Sequence, residues 1–397
     1  MTAPVLFLAA GEVSGDVHGA ALARALRARC PEVRLIGWGS HRMAEAGVAL
    51  EADLVPHAAV GLTENLASVL PSWRALRAAR RRLARIRPAA VVLIDFQGAN
   101  MALARIARGL GLPTVYYISP QEWIWGLASG PRKVAEAVDE ILAIFGREAE
   151  VYRGAGGRVT FVGHPLLDMQ PDPARVAEIR RRFPGDGRVL GLFPGSRAQE
   201  VSRLLPAFLE AAALLQQRAP DLAVVLPVAA PHVRALVDEA LAASGWQVSE
   251  LPGLRKVVRL DGVSGMAVLG ACDGLLAASG TVTLEATVMR VPVVAAYRVS
   301  GLTAFAARRL LRIPYVTLPN IVAQRAIIPE LLQEAVTPAA LADAVEPLLR
   351  EGPERLAHLA GLDVVAAQLG ERGAVGRAAE RILLRAGLGS PASVGQA

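Results

Sequence analysis

Val5-Leu6-Phe7-Leu8-Ala9-Ala10-Gly11-Glu12-Val13-Ser14-Gly15-Asp16 runs from six apolar residues straight into a polar loop bracketed by glycines. The apolar run is short and no cation precedes it, so it reads as a first strand and not as a signal peptide. Apolar on both faces, it has the signature of a buried parallel strand, and a helix over Gly19–Arg29 follows it. The pairing recurs. Strands are expected at Val33–Gly37, Ala89–Ile94, Thr114–Ile118, Glu140–Ile144 and Val159–Val162, with helices such as Ala102–Gly109 between them. The segment His164–Asp186, with Pro165, Pro171, Pro173 and Pro184, reads as a linker plus one helix. A second series follows at Val189–Phe193, Ala223–Val228, Val257–Val258, Gly274–Ala277 and Val291–Tyr297, and helical stretches near Ala339–Arg350 and Arg372–Arg385 finish it. Such alternation defines an α/β class with doubly wound parallel sheets.

At 397 residues the chain exceeds one ordinary core, and two domains are expected, 1–168 and 169–360. A helical segment, 361–386, is expected to pack back on the first domain. The Gly/Ser/Pro/Ala-rich end, 387–397, reads as a disordered tail. Two cysteines, Cys30 and Cys272, exclude a disulfide framework and a cysteine-rich zinc site. The net charge of +7 suits an anionic partner: nucleic acid, anionic lipid or a phosphorylated substrate. Of the 43 basic residues only Lys133 and Lys256 are lysines, a bias that genome composition explains as well as function does. Nowhere do about 18 uncharged apolar residues run together, so any membrane contact is peripheral. Over Leu66–Arg87, Arg74, Arg77, Arg81 and Arg85 fall on one helical face beside Trp73, Leu76, Leu83 and Ile86. That pattern suits a helix lying on anionic lipid, or equally one covering a sheet with a solvated arginine face. Leu302–Arg312 has the same character. The six histidines show no metal-ligand spacing, and no Asp-x-Asp occurs, which favours metal-free chemistry.

Four loops sit at strand ends, where open α/β sheets bind ligands. In Gly11–Asp16 the glycines let backbone approach a ligand, and a helix start offers free N–H groups. A plain turn capped by Ser14 or Asp16 reads equally well. Pro194-Gly195-Ser196-Arg197 places a cation at a helix mouth, where a guanidinium pairs bidentately with phosphate. Ser279-Gly280-Thr281-Val282-Thr283-Leu284-Glu285 opens a helix whose N-terminus suits a diphosphate. Glu285, about one turn further in, is placed for ribose hydroxyls or is an ordinary helix residue. Val91–Gly98 leaves Asp95 at the end of a buried strand, for acid–base work or for capping the next helix.

Together with GWGSHRMAEAG (37–47), VGLTENL (60–66), YYISPQEWIW (116–125), FVGHPLLD (161–168) and YVTLPNIVAQRAIIPELLQE (315–334), these loops form an ordered set. From about Pro4 to Arg350 the chain resembles the lipid-A-disaccharide synthases. The resemblance implies a GT-B fold, two Rossmann-like domains facing across a cleft, with the acceptor in the N-terminal one and UDP in the C-terminal one. It implies an inverting transfer without a cofactor or metal. The 2,3-diacylglucosamine unit of the UDP donor goes to the 6-hydroxyl of 2,3-diacylglucosamine 1-phosphate, giving a β-1,6 disaccharide and UDP. Asp95 matches the general base. Gly195, Ser196, Arg197, Ser279, Gly280, Thr281 and Glu285 match the donor side, with Asn320, Gln324 and Arg325 in the signature after Leu318-Pro319. Gly11, Ser14, Gly15, Asp16, Glu64, Ser119, Trp123 and His164 fall to the acceptor side. His18 lies beside the same loops, and core packing is the alternative for Trp123. The partners implied are the donor, an acylated phosphosugar and an anionic membrane surface, with no nucleic acid. The place implied is peripheral on the cytoplasmic face of the inner membrane, and a homodimer stays open.

Three departures fall in the acceptor half. Phe96-Gln97-Gly98-Ala99-Asn100 stands where the family usually has Ala-Pro-Asp-Phe-Asn, so a second acid is missing. Gly126 stands where an arginine is usual after Trp125, and Phe145-Gly146-Arg147-Glu148 replaces Phe-Pro-Phe-Glu. A UDP-sugar transferase with another lipid acceptor, a UDP-N-acetylglucosamine epimerase-like enzyme and a non-catalytic lipid-binding relative are the alternatives.

Overall fold

A computed structural model describes residues 3–54, 65–125, 129–183, 187–228, 231–250, 253–299 and 314–389. The chain forms two compact units, Met1–Asp168 with Leu369–Ala397, and Met169–Gln368. Among the described residues each is built on seven strands, all paired in parallel.

In the first unit the strands are β1 (Val5–Ala10), β2 (Arg34–Trp38), β3 (Ala49–Ala52), β4 (Ala90–Ile94), β5 (Thr114–Tyr117), β6 (Glu140–Ala143) and β7 (Val159–Phe161). Their order is β3-β2-β1-β4-β5-β6-β7. Every residue of β4 is buried because helices cover both faces of the sheet's centre, which is why its sequence is a continuous apolar run. The first helix, Val13–Arg29, begins six residues earlier than the expected Gly19, so most of Gly11–Asp16 is helix start and not loop. It buries Gly19, Leu22, Ala23 and Leu26 along one stripe, partly against the helix Ala374–Arg385.

In the second unit β8 (Val189–Phe193), β9 (Ala223–Val228), β10 (Gln247–Val248), β11 (Lys256–Asp261), β12 (Gly274–Ala278), β13 (Val293–Tyr297) and β14 (Glu330–Leu332) lie in the order β10-β11-β9-β8-β12-β13-β14. One face packs on the helices Ala198–Arg218 and Pro338–Leu349. The other packs on Gly265–Gly270 and Pro353–Gln368. Residues 361–368 complete that last helix, so the return to the first unit begins at Leu369 and not at the expected 361. Residues 390–397 of the expected tail lie outside the described residues.

The returning segment is pinned electrostatically. Asp168 accepts the backbone N–H groups of Gly373 and Val375 at 2.5 and 2.9 Å. Glu140, 1% exposed on β6, accepts from Arg381 at 2.7 Å, Arg385 at 2.9 Å and Thr160 at 2.8 Å. Burial alone would raise the Glu140 carboxyl, but the Thr160 and arginine bonds outweigh it and hold it below the usual carboxylate value. Replacing both arginines by methionine leaves a buried carboxylate unpaired. The expected cost is about 3–5 kcal/mol in urea unfolding. Since the folded value is depressed, that stabilisation is present above the ordinary carboxylate range and is lost as pH falls through the folded value. The difference between wild type and variant therefore shrinks on acidification.

Candidate active site

Strand order reverses between β1 and β4 in the first sheet and between β8 and β12 in the second, the two places where such sheets take ligands. Ala10 pairs with Ile94, Ile94 with Tyr117 and Ala143 with Phe161. Gly11, Asp95, Ser119 and the turn carrying His164 therefore emerge along one carboxyl edge. Asp95 and Phe96 both take left-handed backbone, φ 52° and 41°, an uncommon conformation that needs external support. Two side chains supply it. The Tyr116 hydroxyl donates to the Asp95 carbonyl at 3.0 Å. Buried Asn100 donates to the carbonyls of Asp95, Ala9 and Ile94 at 3.0, 3.2 and 3.3 Å. The Phe96 ring then lies against Gly11, where a Cβ would fall 2.2 Å from it, so only glycine fits.

Side chains gather around the Asp95 carboxylate. The Ser14 hydroxyl donates to Oδ2 at 2.6 Å. One turn later on the same helix, His18 buries Nδ1 without a partner among the described residues. Burial holds His18 below the usual imidazole value, with the Asp95 charge opposing it. His164 is lowered to about 3, by burial and then by His18. Its Nδ1 accepts the Leu166 N–H at 3.1 Å, and its ring packs at a tilt against Phe145, which packs in turn at a tilt against Trp123. Beside this edge a groove of about 380 Å³ is lined by Gln97, Gly98, Met101, Arg105, Glu122 and Lys133 among others.

In the second unit, Gly195 has φ 109°, and a Cβ there would lie 2.2 Å from the Glu200 carboxylate. Glu200 folds back to accept the N–H groups of Ser196 and Arg197 at 3.1 and 3.2 Å, capping the helix Ala198–Arg218 from within. Arg197 meets Glu200 at 3.1 Å with its side chain 62% exposed. Gly280 opens the helix Thr281–Val288, and the space beside it is empty to 4 Å. Thr281 is exposed there, and Ser279 donates to the Val316 carbonyl at 3.2 Å. Glu285 is half-buried with no partner among the described residues, and burial raises its carboxyl.

Some of the expected residues are engaged inside the fold. Asp16 accepts the N–H groups of Ser40, Arg42 and Met43 and so caps the helix His41–Glu45. Ser119 donates to buried Glu148. Asn320 uses both amide atoms on Ile327, Ile328 and Glu330. Gln324, at φ 54°, and Arg325 are exposed at the end of the helix Leu318–Ala323. Glu64 and Leu302–Arg312 lie outside the described residues. Tyr116 and Asn100 carry roles that the motifs did not announce. The four-residue spacing of Ser14 and His18 speaks only once the helix is seen to start at Val13.

Two doubly wound parallel sheets with paired glycine-bearing edges define a GT-B protein, and solved structures share the fold. The UDP-N-acetylglucosamine 2-epimerase of Neisseria meningitidis, bound to UDP-GlcNAc, superposes with a TM-score of 0.62 at 12% identity, over 97% of this chain and 100% of that one. The calicheamicin glycosyltransferase CalG4 gives 0.61 at 17%, over 98% and 100%. A model of the lipid-A-disaccharide synthetase family matches residues 6–372. The lipid-A-disaccharide synthase of Pseudomonas aeruginosa (strain LESB58) is 40% identical over 351 residues, 88% of this chain and 90% of that protein. That of Myxococcus xanthus (strain DK1622) is 37% identical over 382 residues, 96% and 97%. The chain belongs to the lipid-A-disaccharide synthetase family and is a glycosyltransferase of lipid A synthesis.

Glu148 accepts the N–H groups of Ile144 and Phe145 at 2.8 and 3.1 Å as well as the Ser119 hydroxyl, and burial pushes its carboxyl up to about 7. A raised folded value means that the folded state keeps a proton the unfolded chain has released. Its contribution is full below the ordinary carboxylate value and declines as pH rises toward 7. Unfolding free energy measured across that interval is expected to carry this slope, and Glu148→Ala to remove it.

Proposed function

We propose that Asp95 takes the proton from the 6-hydroxyl of 2,3-diacylglucosamine 1-phosphate while that oxygen attacks the anomeric carbon of UDP-2,3-diacylglucosamine. The new C–O bond forms as the bond to UDP breaks, configuration inverts, and the products are the β-1,6 disaccharide phosphate and UDP. The observation that carries this reading is a carboxylate held at the switch point of the first sheet with only one oxygen engaged among the described residues. General-base assistance of this kind contributes about 10²–10⁴-fold.

The donor half follows from charge. The leaving diphosphate needs positive potential, which Arg197 and the open helix start at Gly280–Thr281 supply. Glu285, unpartnered and half-buried, suits ribose hydroxyls as an acceptor. The UDP-GlcNAc bound by the Neisseria epimerase supports a uridine nucleotide as the donor handle. The groove beside Gln97, with Arg105 and Lys133 on its wall, suits the acceptor phosphate. Gly98, standing where the family has an acid, keeps a different lipid acceptor as the second reading.

Peripheral contact with anionic lipid at the cytoplasmic face is supported by the helix Asn65–Ile86. Arg74, Arg77, Arg81 and Arg85 face outward with Trp73, which is 53% exposed under the Arg77 guanidinium, while Ala75, Ala79 and Leu83 face in. No described helix is long and apolar enough to cross a membrane.

Asp95→Asn is expected to lower transfer by about 10²–10⁴-fold while UDP binding survives. UDP release should require the acceptor, and the product should carry a β linkage by NMR. Wild-type turnover in Asp95→Asn, UDP-sugar epimerisation without acceptor, or an α-linked product each overturns this assignment.

A further inference from the structure

We propose that Ser14 is a positioning residue: its hydroxyl holds Oδ2 of Asp95 so that Oδ1 is the oxygen presented to the acceptor hydroxyl. This rests on Asp95 acting as the base. Oδ2 receives Ser14 at 2.6 Å, and Oδ1 accepts nothing from any described residue. The Asp95 main chain is already fixed, its carbonyl by Tyr116 and Asn100, and its N–H by the carbonyls of Tyr117 and Ile118 at 3.2 Å each. Side-chain rotation is the freedom that remains, and the Ser14 bond removes it.

Ser14 is itself held in place by the two residues that follow it. At the next residue, Gly15, a Cβ would fall 3.2 Å from the Ala10 Cβ and 3.4 Å from the Ile94 carbonyl, so the helix start is pressed onto the sheet edge. The residue after that, Asp16, is tied to three amides of the neighbouring segment. The hydroxyl is thus presented from a rigid frame.

The surrounding groups explain why a hydroxyl does this work. Burial holds His18 on the same helix, and His164 beside it, below the usual imidazole value, which disfavours their cationic forms. Tyr116 on β5 is raised well above its usual value by burial and then by Asp95. Asn100 and Gln97 carry no charge, and Glu12 at the helix mouth adds only negative potential. A cation in this set would pair with the carboxylate and blunt its basicity. A hydroxyl brings no charge, engages one oxygen and leaves the second free. On reaction the acceptor proton moves to Oδ1 as the glycosidic bond forms and UDP departs, and the bond at Oδ2 persists throughout.

The test compares Ser14→Ala, Ser14→Thr, Asp95→Asn and the Ser14→Ala/Asp95→Asn double variant by UDP release, with UDP binding and thermal melting as folding controls. Ser14→Ala should lower kcat about tenfold to a hundredfold with both KM values unchanged. Ser14→Thr should restore kcat, and Ser14→Ala should have no further effect in the Asp95→Asn background. A raised acceptor KM with unchanged kcat would make Ser14 a substrate contact and overturn the proposal, as would wild-type kcat in Ser14→Ala. Wild-type kcat in Asp95→Asn overturns the base reading itself and is read in its own arm.

Discussion

Two consecutive left-handed residues at the end of β4, Asp95 and Phe96, are the constraint on which the first unit's edge depends. Neither residue favours that conformation, at a cost on the order of 1–3 kcal/mol apiece, so the turn persists only because its carbonyls are bound. Asn100 donates to the carbonyls of Ile94 and Asp95 and ties them to the Ala9 carbonyl of β1, and Tyr116 adds a bond to Asp95 from the next strand. Once the turn exists, other features follow from it. The chain reverses sharply enough to leave the Asp95 carboxylate at the switch point, and the Phe96 ring is thrown over position 11, which must then be glycine. Gly11 is therefore required by the turn next door as much as by any ligand.

The second unit solves a different electrostatic problem. Its two helix starts are not alike. The one after β8 is filled by its own Glu200, which accepts the amides that a phosphate would otherwise take. The one at Gly280 has open space beside it. Arg197 leans on Glu200 in an exposed pair, and such pairs are worth about 0–1 kcal/mol, so an incoming anion can draw the guanidinium away at little cost. The Glu200 cap thus fixes where Arg197 starts, while the helix start at Gly280 carries no such acidic cap among the described residues.

Buried central strands were legible because burial on both faces forces a continuous apolar run: β1, β4, β8 and β12 are each written that way. The edge strands were not. Ala49–Ala52 alternates between exposed and half-buried, Gln247–Val248 is exposed throughout, and Glu330–Leu332 is three residues long, so none has a run to detect. Gly15 misled in the opposite direction. Taken as part of a ligand loop or a capped turn, it left the expected first helix to begin at Gly19, whereas its missing side chain is what lets that helix start touch Ala10 and Ile94. At the site, Asp95 and Arg197 were legible as charges at strand ends. Asn320 and Asp16 looked like ligand-facing members of motifs, yet their polar atoms are engaged within the fold, and no motif distinguishes a side chain that holds a loop from one that holds a substrate.

The return of the chain to the first unit bears on the same edge. Leu369, its first residue there, accepts the backbone N–H of His164 at 2.8 Å, and Asp168 binds the amides of Gly373 and Val375 a few residues on. The outgoing and incoming segments are thus hydrogen-bonded to one another where they meet the sheet, with Arg381 and Arg385 anchoring the following helix on Glu140. His164 belongs to both systems, since its main chain joins the crossing and its ring packs on Phe145 with His18 as its electrostatic neighbour. A residue in that position cannot be repacked without disturbing both the crossing and the surroundings of Asp95. That double engagement gives a structural reason for a buried, neutral histidine here, one that does not require it to touch substrate.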